Sequence, residues 1–160
     1  KIDQVATKIA LSAIKFNMLK VGNNSIITFD IEEALSFDGF SGPYIQYTCS
    51  RINSVLKKAK FSSLTRVDYN KLTTDLEKEI LLQLASFPEI VAEASQRYDP
   101  SVLAKYLFDL ARLFSTFYQK LPIINSPKEI KAARLLLVDS TARVLNRGLA
   151  LLGIEPLDQM

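Results

Sequence analysis

Gly42-Pro43-Tyr44-Ile45-Gln46-Tyr47-Thr48-Cys49-Ser50-Arg51 is the stretch that decides how this chain is read. Gly-Pro halts whatever precedes it, and a proline at the first helical position forfeits no hydrogen bond, because that N–H has no partner anyway. The spacing that follows predicts a helix from position 43 to about 58. Tyr44, Tyr47 and Arg51 fall at i, i+3 and i+7 and share one face. Ile45, Ile52 and Leu56 lie on a neighbouring stripe that can be buried. Two readings are open at this point. Two rings with polar tips and a guanidinium on one face can stack on and clamp unpaired bases. Alternatively, the tyrosines are a half-buried packing pair with Arg51 as a surface cap.

Outward from that helix the chain reads as helix after helix. Ile2, Val5, Ala6, Ile9, Ala13 and Ile14 form a helical stripe ending near Lys20, broken by Gly22-Asn23-Asn24. The short β-branched run 25–29 reads as extended, and Asp30 is placed to cap a short helix with Glu32 and Glu33 in its first turn. A loop over 36–41 then carries two aromatics that look exposed, Phe37 and Phe40. Beyond the central stretch, Leu72, Leu76, Ile80 and Leu84 predict an amphipathic helix from Tyr69 to Ala85, and Phe87-Pro88 opens another to about Arg97. Asp99-Pro100 is an N-cap followed by a first-turn proline. Behind it, Leu103, Leu107, Leu110, Phe114, Phe117 and Leu121 alternate at spacings of four and three, which is a packing seam. Ser126-Pro127-Lys128-Glu129 has the form of a capping box. The last helix runs to Leu152, where Gly153 can close it, and Gly148 inside it implies a close helix–helix contact. Short loops between long helices favour an all-α bundle of about six to seven helices.

Composition bounds the function. A chain of 160 residues with 48% hydrophobic content suits one globular domain. No apolar run approaches the roughly 18 residues of a membrane span. With no histidine and one cysteine, a Ser-His triad, a histidine base and a zinc site are excluded. The five glycines are scattered, so there is no phosphate-binding loop. No carboxylate pair is marked by spacing as catalytic, and the chain by itself is expected to perform no chemistry and to hold no metal. A net charge of +3 is compatible with nucleic acid without demanding it. The tight basic cluster Lys57, Lys58 and Lys60 reads as a solvated helix end. Because Lys1-Ile2-Asp3 begins in mid-helix, the sequence is read as a fragment of a longer protein.

Gly39-Phe40-Ser41-Gly42-Pro43-Tyr44-Ile45-Gln46-Tyr47 with Arg51 resembles the Gly-x-Thr-Gly-Pro-Tyr-x-Gln-Tyr-x-x-x-Arg signature of arginyl-tRNA synthetases. Arg134-Leu135, Val144-Leu145-Asn146-Arg147-Gly148-Leu149, Leu151-Leu152-Gly153-Ile154, Pro156 and Met160 are similar to that family's closing segment. Phe87-Pro88, Tyr106-Leu107, Leu110-Ala111, Phe114 and Phe117-Tyr118 match its middle. Ser41 stands where Thr is usual and Cys49 where His is frequent. Asp109-Leu110-Ala111-Arg112 has only the composition of the family's Asp-Ala-Leu-Arg tetrad.

The resemblance implies a single α-helical anticodon-binding domain over 1–160 whose partner is the anticodon loop of an arginine tRNA. Activation of arginine with ATP and magnesium, and transfer to tRNA, would belong to an upstream catalytic domain, leaving no cofactor in this chain. It also implies that Tyr44, Tyr47, Met160 and the loop residues Ser36, Phe37, Asp38, Gly39, Phe40 and Ser41 hold the anticodon loop. Arg51 is suited to a phosphate or to a structural ion pair. Arg143 and Arg147 line a phosphate path or a solvated basic face. A cytoplasmic monomer is expected. Two rival readings are an anticodon-binding bundle of the cysteinyl or glycyl type and a non-enzymatic helical protein-interaction module. The tyrosine signature and Met160 argue against the first.

Overall fold

Helical periodicity governs the whole chain. In the computed structural model, which describes residues 2–62 and 67–157, the order is α1 (Ile2–Leu19), α2 (Ile31–Leu35), α3 (Gly42–Lys58), a 3₁₀ turn (Tyr69–Lys71), α4 (Asp75–Ala85), α5 (Phe87–Gln96), α6 (Pro100–Lys120) and α7 (Lys128–Leu151). The seven α-helices form the expected all-α bundle, with no strand among the described residues.

The helix starts follow side-chain chemistry, with two departures from expectation. Asp30 accepts from the Glu33 N–H and starts α2, Ser41 accepts from the Tyr44 N–H and starts α3, and Asp99 accepts from the Ser101 N–H and starts α6. The helix expected from Tyr69 begins instead at Asp75, because Thr74 and Glu77 form a reciprocal capping box there. The capping box expected at Ser126 does not form. Pro127 is the N-cap of α7 with no side-chain hydrogen bond, and the Ser126 hydroxyl turns back to donate to the Pro122 carbonyl.

The α6 seam is the axis of the bundle: Leu107, Leu110, Phe114 and Phe117 are fully buried, and α1, α3, α4, α5 and α7 all pack on this helix. Gly148 presses α7 onto it, since a Cβ there would come within 2.9 Å of Leu107 Cδ1. Gly42 does the same between α3 and α1, where a Cβ would meet the Ser12 carbonyl oxygen at 2.7 Å. That contact also fixes the register of α1. Its inward face is Ser12, Ala13, Phe16 and Asn17, while Leu11, Ile14 and Met18 stand about half exposed on the other side. The expected stripe therefore had Ala13 inward correctly and Ile14 wrongly.

One buried ion pair crosses the bundle. Arg134 of α7 donates from Nε to Glu77 Oε1 of α4 at 2.6 Å, and both side chains are buried. The Thr74 N–H and hydroxyl satisfy Glu77 Oε2 at 2.9 and 2.8 Å. Arg134 Nη1 donates to the Pro122 carbonyl at 2.6 Å and to Ser126 Oγ at 3.0 Å. Burial pushes the Glu77 carboxyl up, but the Thr74 N–H, the Arg134 guanidinium and the Thr74 hydroxyl together carry it below its ordinary 4.5.

Arg134→Met should therefore lower the unfolding free energy by about 3–5 kcal/mol near pH 7, because it strands a buried carboxylate. Folding favours the ionised form of Glu77, so its contribution is present above the ordinary value of 4.5 and is lost as pH falls through the lower folded-state value. Urea unfolding near pH 7 and near pH 3 should show the gap between wild type and Arg134→Met narrowing at the acid end. Equal gaps at both values would show that the pair does not titrate this way.

Candidate nucleic-acid interface

The outer face of α3, the end of α6 and the loop 121–125 enclose a cleft of about 950 Å³. Helical spacing places Tyr47 and Arg51 one turn apart on its wall. The Arg51 guanidinium carbon lies 4.7 Å from the Tyr47 ring centroid and 5.5 Å from that of Tyr118, so the cation is held between two rings. Phe37, from the loop before α3, packs its edge on Tyr47 at 6.2 Å. Phe37, Tyr47 and Tyr118 are each roughly two-fifths exposed. Among the described residues no carboxylate pairs with Arg51. Of the two roles expected for it, the structural ion pair is not seen among the described residues. The result is an open shelf in which Tyr47 and Tyr118 flank one cation and Phe37 backs Tyr47, rimmed by Ser54, Lys58, Gln119 and Asn125. Such a shelf offers π-faces to bases and guanidinium N–H groups to oxygen acceptors.

The other residues singled out from sequence are distributed differently. Tyr44 faces inward: its ring packs on Phe108 at 5.4 Å and its hydroxyl donates to Ser115 Oγ at 3.2 Å. Phe40, expected to be exposed, is instead half-buried against the core. It packs on Phe16 at 5.3 Å and Phe108 at 4.8 Å, because Lys20 draws the loop down by donating to the Phe40 carbonyl at 3.2 Å while pairing with Glu33 at 2.7 Å. Ser41 is buried, with its hydroxyl donating to the Ser36 carbonyl. Ser36 Oγ accepts from the Asp38 N–H at 3.2 Å. Asp38 is exposed, and Ser36 and Gly39 are half-buried. Arg143 pairs with Asp139 at 2.8 Å on the outer side of α7. Arg147 is exposed one turn further along, and neither lines the cleft. Met160 lies outside the described residues.

Three participants were not among the expected site residues. Gln46 is fully buried and donates from Nε2 to the Glu155 carbonyl at 2.7 Å. Ser50, on the cleft wall, donates to the Leu157 carbonyl at 2.9 Å. Together with the Lys8–Glu155 pair at 2.8 Å and the buried Ile154 and Leu157, they lay the tail after Gly153 along α3 toward the cleft. The third is Tyr118. Besides its place in the Phe117-Tyr118 match, its sequence signal is a tyrosine one residue past the buried Phe117 of the seam, which rotates it out of the core. Cys49 is core: burial pushes its thiol up to about 12, so it is an unreactive packing group.

This helical bundle with its aromatic shelf belongs to the DALR anticodon binding domain family, which matches residues 45–160. The chain is similar to the arginine–tRNA ligase of Clostridium botulinum (strain Alaska E43 / Type E3), with 40% identity over 99% of this chain and 28% of that protein. Similarity to the arginine–tRNA ligase of Pyrococcus abyssi is of the same order, 40% identity over 99% of this chain and 26% of the relative. Among solved structures, Thermus thermophilus arginyl-tRNA synthetase superposes with a TM-score of 0.93 at 37% identity, covering 100% of this chain and 28% of that one. The chain thus spans little more than a quarter of the proteins it resembles.

The two tyrosines of α3 should respond differently to truncation. Tyr44→Ala removes packing and a hydrogen bond and should cost about 2 kcal/mol, somewhat under the loss for a fully buried ring. Tyr44→Phe should cost about 1 kcal/mol. Tyr47→Ala, losing one exposed cation–π contact, should cost about 0.5–1 kcal/mol. Urea titrations followed by circular dichroism check the order; equal losses for the two alanine variants would contradict it.

Proposed function

We propose that this chain binds the anticodon loop of an arginine tRNA and so positions that tRNA for ATP-dependent aminoacylation by a catalytic domain elsewhere in a longer protein. The observation that carries the proposal is the Tyr47–Arg51–Tyr118 stack lining the cleft, with Phe37 packed on Tyr47. Single-stranded RNA is recognised by stacking splayed bases on such surfaces, with edges read by neighbouring polar groups. The family match and the names of the relatives support the identity of the RNA.

In this reading Tyr47 and Tyr118 stack bases. Arg51, immobilised between them, pairs a base edge or a phosphate. Asp38 and the backbone of Ser36 and Gly39 border the bound loop. Tyr44, Phe40 and Ser41 act from below by fixing the loop and the start of α3. Met160 remains in the proposed site, supported by the resemblance and by the docking of Leu157, three residues before it, at Ser50. Arg147 and Arg143 are proposed to meet phosphates outside the cleft. Among the described residues no three metal-ligating side chains gather, and the chain has no phosphate-binding loop. In this reading ATP, magnesium and arginine are assigned to the remainder of such a protein. The setting proposed is a monomer in the cytoplasm. No helix among the described residues is long and apolar enough to cross a membrane.

Binding of a fluorescent arginine-tRNA anticodon stem–loop tests the proposal. Tyr47→Ala and Tyr118→Ala should each weaken binding by about 1–3 kcal/mol, the value of one base–aromatic stack, while Tyr47→Phe should bind nearly as wild type. Affinity that ignores both the loop sequence and the two alanine substitutions would overturn it.

A further inference from the structure

A second, smaller cavity of about 180 Å³ lies where α3 ends and α7 begins. Its walls carry three lysines, Lys60 after α3 and Lys128 and Lys131 in the first turns of α7, over an apolar floor of Phe61 and Leu135. Among the described residues none of the three is in an ion pair. The nearby acid of α7, Glu129, is turned to Lys71 at 3.0 Å. Each lysine sits against its own local preference. Lys60 has φ 49°, a left-handed conformation that favours glycine at a helix end. Lys128 and Lys131 place positive charge at the positive end of a helix dipole, where no side chain caps the free N–H groups. Charges that repel one another and the helix end, converging on one cavity, are an arrangement that a bound anion relieves.

Both walls of the cavity are continuous in sequence with walls of the cleft. The segment that lines the cleft up to Lys58 continues into Ala59 and Lys60, and the loop that lines it up to Asn125 continues into Lys128. We infer that this lysine pocket is a second RNA subsite, one that takes a backbone phosphate of the strand whose bases lie on the Tyr47–Tyr118 shelf. The inference rests on the proposed anticodon-loop binding and adds to it a path for the backbone, running from the shelf past Lys58 into the pocket.

The test measures binding of the anticodon stem–loop over a series of salt concentrations for wild type, the triple variant Lys60→Gln/Lys128→Gln/Lys131→Gln, Lys60→Gly, and Lys78→Gln as a control on α4. One phosphate contact contributes about 0.7 to the log–log salt slope on a single strand and about 0.9 on a duplex. The triple variant should lose about that much slope and bind more weakly at low salt, while its preference for the cognate loop over an altered loop is unchanged. Lys60→Gly should melt at the same or a higher temperature and still bind more weakly, which a purely structural lysine would not do. Lys78→Gln should match wild type. An unchanged slope in the triple variant, with wild type binding normally, overturns the pocket and leaves the shelf standing. Loss of thermal stability in step with affinity also overturns it. Wild type that fails to bind the stem–loop at any salt overturns the underlying reading together with the pocket.

Discussion

The Glu77–Arg134 ion pair is the constraint on which the rest of the arrangement depends. Removing two charges from water costs more than their attraction returns unless every remaining hydrogen-bonding position is also filled. Here the partners that fill those positions come from separate parts of the chain: the Thr74 cap of α4 on the carboxylate side, and the Pro122 carbonyl and Ser126 hydroxyl on the guanidinium side. The pair therefore sets α4 and α7 in one register and at the same time pins the loop that forms one wall of the cleft. That wall faces Tyr118 and Arg51. An electrostatic requirement in the interior is thus translated into the shape of a surface.

The opposite wall is held by packing. Lys20, Phe16, Phe40, Phe108 and Tyr44 form one anchored cluster beneath the loop that precedes α3. With the loop tied down at Phe40 and Ser41, Phe37 is left as the ring that reaches the surface and meets Tyr47. A rigid presentation would serve the proposed RNA binding, since an aromatic side chain held in place beforehand loses less conformational entropy when a base stacks on it. The Tyr47–Arg51–Tyr118 stack serves the same end, because a guanidinium between two rings has few other places to be.

Much of this was legible in the residues, and the failures have physical causes. Asp30 and Asp99 announced their helices because capping is a local interaction within three residues. The α6 seam announced itself because a fully buried helix has a strict spacing. Tyr69 and Ser126 misled for the same kind of reason. The capping box at Thr74 outcompetes an apolar pattern that starts earlier, and Ser126 has a better partner in the distant Pro122 and Arg134 than in its own helix. The inward turn of Phe40 and the outward face of Ile14 depend on which neighbours arrive from elsewhere, and periodicity does not carry that information. Within the candidate site, Tyr47 and Arg51 were readable from one helix. Tyr118 was not, because its partnership with Arg51 spans two helices far apart in sequence. Tyr44 shares a face with Tyr47 by spacing alone, yet lies one turn closer to the anchored cluster and so is drawn inward.

The proposed function requires that RNA meet the protein at the cleft between α3 and α6. A ¹H–¹⁵N correlation spectrum of the labelled chain, recorded during titration with an arginine-tRNA anticodon stem–loop, locates that contact directly. The perturbed amides should cluster at Tyr47, Ser50, Arg51, Tyr118 and Asn125, with the outer face of α1 unmoved. Perturbations confined to the exposed Leu11, Ile14 and Met18 face of α1, with the cleft silent, would contradict the account.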